Sequence, residues 1–502
     1  FVEMLSRIRR RLRCLYFIRL FYCPVSSSYF LQKCTCNLLA TNLQEVIIMN
    51  FLTDKIKPMY FKYLKAAFGS ALITSIYGIV DMSMVGQYQG PDGTAALAVV
   101  APIWNIIYSL GLLMGIGGSI LLSTVRGQDS LAASDNPGTA ANSSPLTRSN
   151  EYFTTALIGV STFAVLAWLM IIFFDKPLLL FFGADASLLP LARRYLIPVK
   201  FVIPAFLFNQ FLAAFLRNDK NPGLATRAVL IGGVFNIFGD YFFVFPMDMG
   251  IFGAGLATAL GSVISLAVML THFFRKENTL QIVRPTHLLR QTKQVLTSGF
   301  SAFFIDVVMG ILTIFFNKQI MHYLGANALA VYGIIINIST FVQCCAYSVG
   351  QAAQPIISTN YGAGKGGRIR ETLKYALGTT AFFAIFWTVL SLAVPNGYIK
   401  VFMSPTSEIL KIAPGIIRSY SISFLLLPLN IFSTYYFQAL LKPTAAFVVS
   451  IARGMILSGL FIFLLPMCFG AGSLWFAMPL TELVIAVYVV YHMRKYTCTL
   501  PE

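Results

Sequence analysis

The chain is predicted to be an all-α polytopic membrane protein: twelve transmembrane helices in two six-helix lobes related by a parallel internal repeat. Three observations carry that expectation. Hydrophobic residues make up 57% of its 502 residues and charged residues 11%, whereas a soluble globular chain carries about 25% charged residues. Mean hydropathy is +0.73, and apolar stretches of about 20 residues, enough to cross a bilayer, recur along most of the chain. Short motifs of the first half also return in the second half in the same order.

The predicted spans are 64–87, 95–122, 153–174, 194–216, 224–246, 251–274, 294–321, 327–357, 372–394, 410–439, 444–466 and 472–492. The first holds Asp81 and has no proline within 66–86, so any bend in it needs Gly69 or Gly78. The second has Gly111, Gly115, Gly117 and Gly118, which permit close helix approach, and Asn105 as a candidate cavity group. The fourth adds Asn209 and Gln210 as further candidates. In the fifth, Asn236 and Asp240 are four residues apart and share one helical face. An acid carried into hydrocarbon is costly and usually marks an ion or proton pathway. Asp306 lies on the seventh span with Lys318 twelve residues on, Arg418 on the tenth, and Arg453 and Glu482 on the last two, where they suit a structural ion pair.

Residues 1–48 begin with Phe and hold RIRRRLR and LYFIRLFY, with Arg19 interrupting the apolar part. Native translation is expected to start at Met49, leaving 1–48 a non-native or disordered extension. The lobes are then 49–275 and 294–495, joined by a cytoplasmic linker, 276–293, and followed by a tail, 496–502. Segment 126–151, rich in Ser, Ala, Asn, Gly and Pro, reads as a flexible loop.

The net charge of +18 comes from basic residues between apolar spans, with no contiguous patch, so no nucleic-acid partner is implied. Connections after the even-numbered spans hold most of these residues, among them Arg126, Arg217, Arg284, Arg290, Arg368 and Lys442. The positive-inside rule then places both termini in the cytoplasm, for a multi-pass protein of the bacterial inner membrane. Of the eight cysteines, Cys34 and Cys36 lack a partner pair and Cys344 and Cys345 lie in an apolar span, which argues against a zinc or disulfide framework.

The repeat pairs YQGPDGTAALAVVAPI (88–103) with YLGANALAVYGIII (323–336), and FPMDMGIFGAGLATA (245–259) with LPMCFGAGSLWFA (465–477). The second pair follows turns at Asn221-Pro222 and Lys442-Pro443. Offsets of about 220–235 residues span six helices; six is even, so both halves keep one orientation. Repeats of this kind are a common transporter construction.

Several stretches resemble MATE (multidrug and toxic compound extrusion) transporters: IVDMSMVGQYQGPDGTAALAVVAP, GIGGSILLSTVRGQ, FLRNDKNPGLATRAVLIGGVFNIFGDYFFVF with GIFGAGLATA, and QAAQPIISTNYGAGKGGRIRETL. The resemblance runs in order over about residues 52–495 and is nearest to the branch of the DNA-damage-inducible F proteins, whose N-terminal lobe carries a cation or proton site. By motif it implies that site at Asp81, Asn236, Asp240 and Thr258, with a backbone carbonyl near Ala254. The NorM branch has a seventh-helix acid, which Asp306 is similar to, and a further acid on the tenth helix, which this chain lacks. A C-lobe sodium site is therefore not expected.

Two carboxylates, an amide oxygen and a hydroxyl suit a hard cation such as Na⁺. The same two acids suit protons, because in low dielectric they cannot both ionise cheaply and titrate as a unit. The structural alternative is that Asn236 and Asp240 only tie helices together, at about 0.6 kcal/mol each. Aromatic residues such as Trp104, Phe206, Phe208, Tyr361, Tyr435 and Tyr436 can stack on flat cations, although most such residues pack cores or face lipid. No P-loop or nucleophile motif is present, so no cofactor or catalysis is expected and an ion gradient must drive the work. The favoured reading is an antiporter, expected to be a monomer in the bilayer, that exports cationic amphipathic compounds in exchange for H⁺ or Na⁺. A lipid-linked oligosaccharide flippase, using Lys200, Lys318 and Arg418, is the first alternative; a non-transporting membrane enzyme or receptor is the second.

Overall fold

The computed structural model describes residues 50–135, 145–184, 186–402 and 407–501. The expected N-terminal extension, the start at Met49, and Cys34 and Cys36 fall outside the described residues.

The spans are α1 (Ile56–Gly90), α2 (Asp92–Ala133), α3 (Leu146–Phe181), α4 (Leu188–Lys200 with Ile203–Asn218), α5 (Pro222–Val244), α6 (Ile251–Phe274), α7 (Leu288–Tyr323), α8 (Asn327–Gly362), α9 (Gly366–Ala393), α10 (Ser407–Ala439), α11 (Pro443–Phe469) and α12 (Ala471–Cys498). Eleven are single helices long and apolar enough to cross a membrane, and α4, bent by 61°, makes the twelfth. The bend falls just before Pro204, which lacks an N–H and so opens a new helix instead of continuing the old one.

Helices outrun their apolar cores. α2 continues past Arg126 to Ala133, and α3 starts at Leu146, so both flanks of the expected 126–151 loop are helical; its Gly/Pro-containing centre, 136–144, lies outside the described residues. α1 stays helical through Gly69 and Gly78 and ends at Gly90, whose φ of 68° suits glycine alone without strain.

The repeat is visible in the backbone. Lys220 and Leu441 both take positive φ two residues before Pro222 and Pro443, and Gly250 and Gly470 both take positive φ before α6 and α12. One apolar core joins α1–α6 and reaches Leu280 and Val295. The other joins α7–α12 and receives Leu112, Ile116, Ile120 and Ala214 from α2 and α4. Helix α2 thus serves both cores.

Glycines let α2 approach its neighbours at backbone distance. A Cβ on Gly111 would meet the Leu207 carbonyl of α4 at 2.6 Å, and one on Gly118 the Ala156 Cβ of α3 at 2.6 Å. Across the lobes, Cβ atoms on Gly117 and Gly299 would collide with the carbonyls of Val295 and Leu113; those on Gly127 and Gly362 would collide with the carbonyls of Thr359 and Thr124.

The segment between α6 and α7 is strapped to the first lobe. Asp219, in the turn between α4 and α5, binds Arg126 Nη1 at 2.9 Å and His272 Nε2 at 2.7 Å, and accepts from the Thr279 N–H at 3.1 Å and the Thr279 hydroxyl. Asn150 Nδ2 donates to the Thr279 carbonyl at 3.0 Å, and Glu151 Oε2 accepts from the Thr286 N–H at 3.2 Å and Gln291 Nε2 at 2.5 Å. Burial alone would raise the Asp219 carboxyl, but the bond from His272, the Arg126 charge and the Thr279 bonds outweigh it and hold the group at about 2.

Candidate functional site

Helices α5 and α6 pack closely because Gly232, Gly239 and Gly261 lie between them; a Cβ on Gly239 would stand 3.0 Å from that of Ala257. This contact brings Asn236 to Thr258. Asn236 Nδ2 donates to Thr258 Oγ1 at 3.1 Å and, along its own helix, to Asp240 Oδ1 at 3.4 Å. Asn236 and Asp240 are buried, and so is Ala254, one turn before Thr258.

Asp81 faces this group from α1. Tyr195 of α4 donates to Asp81 Oδ2 at 3.3 Å, and Asp81 lies within electrostatic reach of Asp240. Tyr195 gets this close to α6 because Gly255 has no side chain; a Cβ there would strike the Tyr195 carbonyl. Three acceptor oxygens, Asp81 Oδ1, Asn236 Oδ1 and Asp240 Oδ2, are buried and accept no hydrogen bond from the described residues. Carboxylate and amide oxygens of this sort suit a proton or a hard cation. The sequence does not single out Tyr195: a tyrosine among 23 has no distinguishing spacing, and only the bend of α4 aims it at Asp81.

A cavity of about 1060 Å³, part of it open to solvent, adjoins the group. Asn236 and Thr258 form part of its wall, together with Asn209 and Gln210 as expected, Tyr77, Tyr108, Phe206 and Arg217, and Cys344, Tyr347 and Gln351 from α8. A smaller space of about 510 Å³ shares Tyr108, Tyr347 and Gln351 and adds Tyr435 and Gln438. Asn209 also ties α4 to α6 through bonds from its Nδ2 to the Ser262 carbonyl and Oγ, both at 2.9 Å.

Other expected residues fall elsewhere. Asn105 is exposed on α2 and is not among the cavity-lining residues. Asp306 lies on α7, and its side chain is outside the described set. Lys200 pairs with Asp175 at 2.6 Å, Arg418 is exposed and donates to the Leu392 carbonyl at 3.1 Å, and Lys318 is exposed. Arg453 and Glu482 form the expected ion pair, at 2.7 Å.

Comparison with known proteins agrees with this architecture. The family model described as MatE matches residues 66–134, 138–242 and 302–464. The multidrug export protein MepA of Staphylococcus saprophyticus is 25% identical over 435 residues, covering 84% of this chain and 91% of that protein. MepA of Staphylococcus aureus is 22% identical over 434 residues, with coverages of 84% and 91%. An outward-facing multidrug resistance MATE family transporter superimposes with a TM-score of 0.80 at 18% identity, over 91% of this chain and 99% of that one. The MATE multidrug transporter DinF-BH gives 0.79 at 23% identity, over 90% and 98%. The chain belongs to the MatE family and is a multi-pass membrane transporter, not an enzyme.

Proposed function

We propose that the protein exports cationic amphipathic small molecules in exchange for H⁺ or Na⁺ by alternating access, with Asp81, Asn236, Asp240 and Thr258 as the coupling group. The observation that carries this reading is the position of Asn236. It lies in the cavity wall and donates to both Asp240 and Thr258, so an ion bound behind the wall changes the wall itself. Aromatic residues Tyr77, Tyr108, Phe206 and Tyr347 around the cavity supply faces for a flat cation. Relatives named for multidrug export support small-molecule export.

Coupling then follows from charge. Binding of H⁺ or Na⁺ neutralises the carboxylates and favours release of the cationic substrate, and loss of the ion favours its capture. The basic connections favour the cytoplasmic side of a bacterial inner membrane for the strapped face and both termini, and a single chain suffices for the cycle. The lysines and arginine that a flippase would use, Lys200, Lys318 and Arg418, lie outside the cavity lining, which holds Arg217 as its one cationic side chain among the described residues; so sparse a positive charge favours the drug exporter.

Ethidium efflux from cells tests the reading. Asp81→Asn is expected to lose most efflux, while undiminished efflux would remove Asp81 from the mechanism. Titration of H⁺ and Na⁺ in proteoliposomes identifies the coupling ion.

A further inference from the structure

The second lobe contains a buried ionic cluster that the proposed coupling group does not use. Arg453 Nε donates to Glu482 Oε1 at 2.7 Å. Asn430 Nδ2 donates to Glu482 Oε2 at 2.7 Å and to the Glu482 carbonyl at 2.9 Å. Arg453 is 6% exposed, and Glu482 and Asn430 are 0% exposed. Arg453 sits on a π turn, Ala452–Ile456, inside α11; such turns concentrate at functional positions.

The repeat identifies the counterparts in the first lobe. Asn430 precedes Pro443 by thirteen residues, as Asn209 precedes Pro222. Glu482 follows the left-handed Gly470 by twelve residues, as Ser262 follows Gly250. Arg453 follows Pro443 by ten residues, as Gly232 follows Pro222. The hydrogen bonds repeat as well, since Asn209 Nδ2 donates to both the carbonyl and the side chain of Ser262. Both asparagines keep a buried Oδ1 without a hydrogen-bond partner among the described residues.

The two trios differ in what fills them. Asn209, Gly232 and Ser262 line the central cavity. At the matching place in the second lobe, a carboxylate replaces the serine and a guanidinium replaces the missing glycine side chain. We infer that Glu482 and Asn430 form a cation-binding site in the second lobe whose resident occupant is the Arg453 guanidinium. The guanidinium is bound through Arg453 Nε by Glu482 Oε1, while Asn430 Nδ2 fixes Glu482 Oε2. A buried carboxylate needs a compensating cation, and here the chain supplies it. While Arg453 is in place, this site takes up no ion from solution. This inference rests on the repeat and is independent of the role given to Asp81 and Asp240.

The test uses the full chain in detergent and follows thermal unfolding. Arg453→Gly installs the first-lobe residue and empties the site. Its Tm is expected to fall below wild type and to rise saturably, by about 3 °C or more, with guanidinium at concentrations on the order of 10 mM. Tetrabutylammonium, too large for the space, is expected to give no rise. The double variant Arg453→Gly/Glu482→Ser reproduces the first-lobe trio and is expected to regain most of the wild-type Tm with no response to guanidinium. An equal response of the single and double variants, or no response of the single variant to guanidinium or Na⁺, overturns the inference. If Arg453→Gly does not fold unliganded, it is prepared with guanidinium in every buffer: folded protein recovered only then supports the site, and failure with every cation while the double variant folds refutes it.

Discussion

Tyr195 donates a hydrogen bond to Asp81 across 3.3 Å and so joins the first segment of the bent helix α4, Leu188–Lys200, to α1. A hydrogen bond to a charged group contributes about 1.5–3 kcal/mol. The bond favours the ion-free carboxylate, so Tyr195→Phe is expected to lower the half-saturating concentration of H⁺ roughly 10-fold, with less effect on maximal efflux. Ion titration of transport in proteoliposomes measures both quantities.

The glycine contacts between α2 and α7 allow the two lobes to meet backbone to backbone. Gly117→Ala and Gly299→Ala each place a methyl group against a carbonyl of the facing helix, and neither carbonyl can withdraw without moving its helix. Both variants are expected to disfavour this conformation and populate one in which the lobes separate at that end. Labelling of a cysteine introduced on the facing surfaces, with a membrane-impermeant thiol reagent applied to inside-out vesicles, is expected to speed up several-fold.

Asp219 makes stability depend on pH in a predictable direction. Its folded value of about 2 lies below the ordinary 3.8, so its contribution is fully present above pH 3.8 and is lost as pH falls towards 2. The shift corresponds to about 2 kcal/mol. Wild-type Tm is expected to drop over that window, with this share of the drop missing in Asp219→Asn. Limited proteolysis at neutral pH is expected to cut the variant faster within 275–287.

Lys200 and Asp175 form a pair outside the central cavity, with the Lys200 side chain 18% exposed. Lys200→Gln is expected to leave ethidium efflux within roughly twofold of wild type, as for other pairs near the surface. A loss comparable to that of Asp81→Asn would return Lys200 to the transport path and revive the flippase reading.

Most of the fold was legible because lipid imposes one simple rule on sequence: a spanning segment must be apolar and helical. All twelve predicted spans correspond to α1–α12. The ends were not legible, because Arg126 and the Ser/Ala residues after it extend α2 in water, where hydropathy carries no signal. At the candidate site, the spacing of Asn236 and Asp240 predicted a shared face, Asp81 stood out as a second acid in an apolar stretch, and the resemblance added Thr258. Tyr195 was hidden because its role depends on a bend and on Gly255, a contact between helices that no spacing along one chain encodes. Asn105 shows the converse: a polar residue in an apolar stretch, with nothing in the stretch to tell exposure from a cavity wall.

The strap between α6 and α7 bears on where the molecule articulates. Thr279, Thr286 and Gln291 are bound to groups of the first lobe, and Tyr152 donates to Gln294 Oε1 at 2.9 Å. The connecting peptide and the opening turns of α7 are thus passengers of the first lobe, although α7 itself enters the second core. Under the proposed alternating access, this arrangement argues against a fulcrum in the connecting peptide and for one within α7, beyond Gln294, where Gly299 is the first residue without a side chain. Lengthening the peptide would then leave the gearing unchanged, whereas stiffening one turn of that helix would jam it.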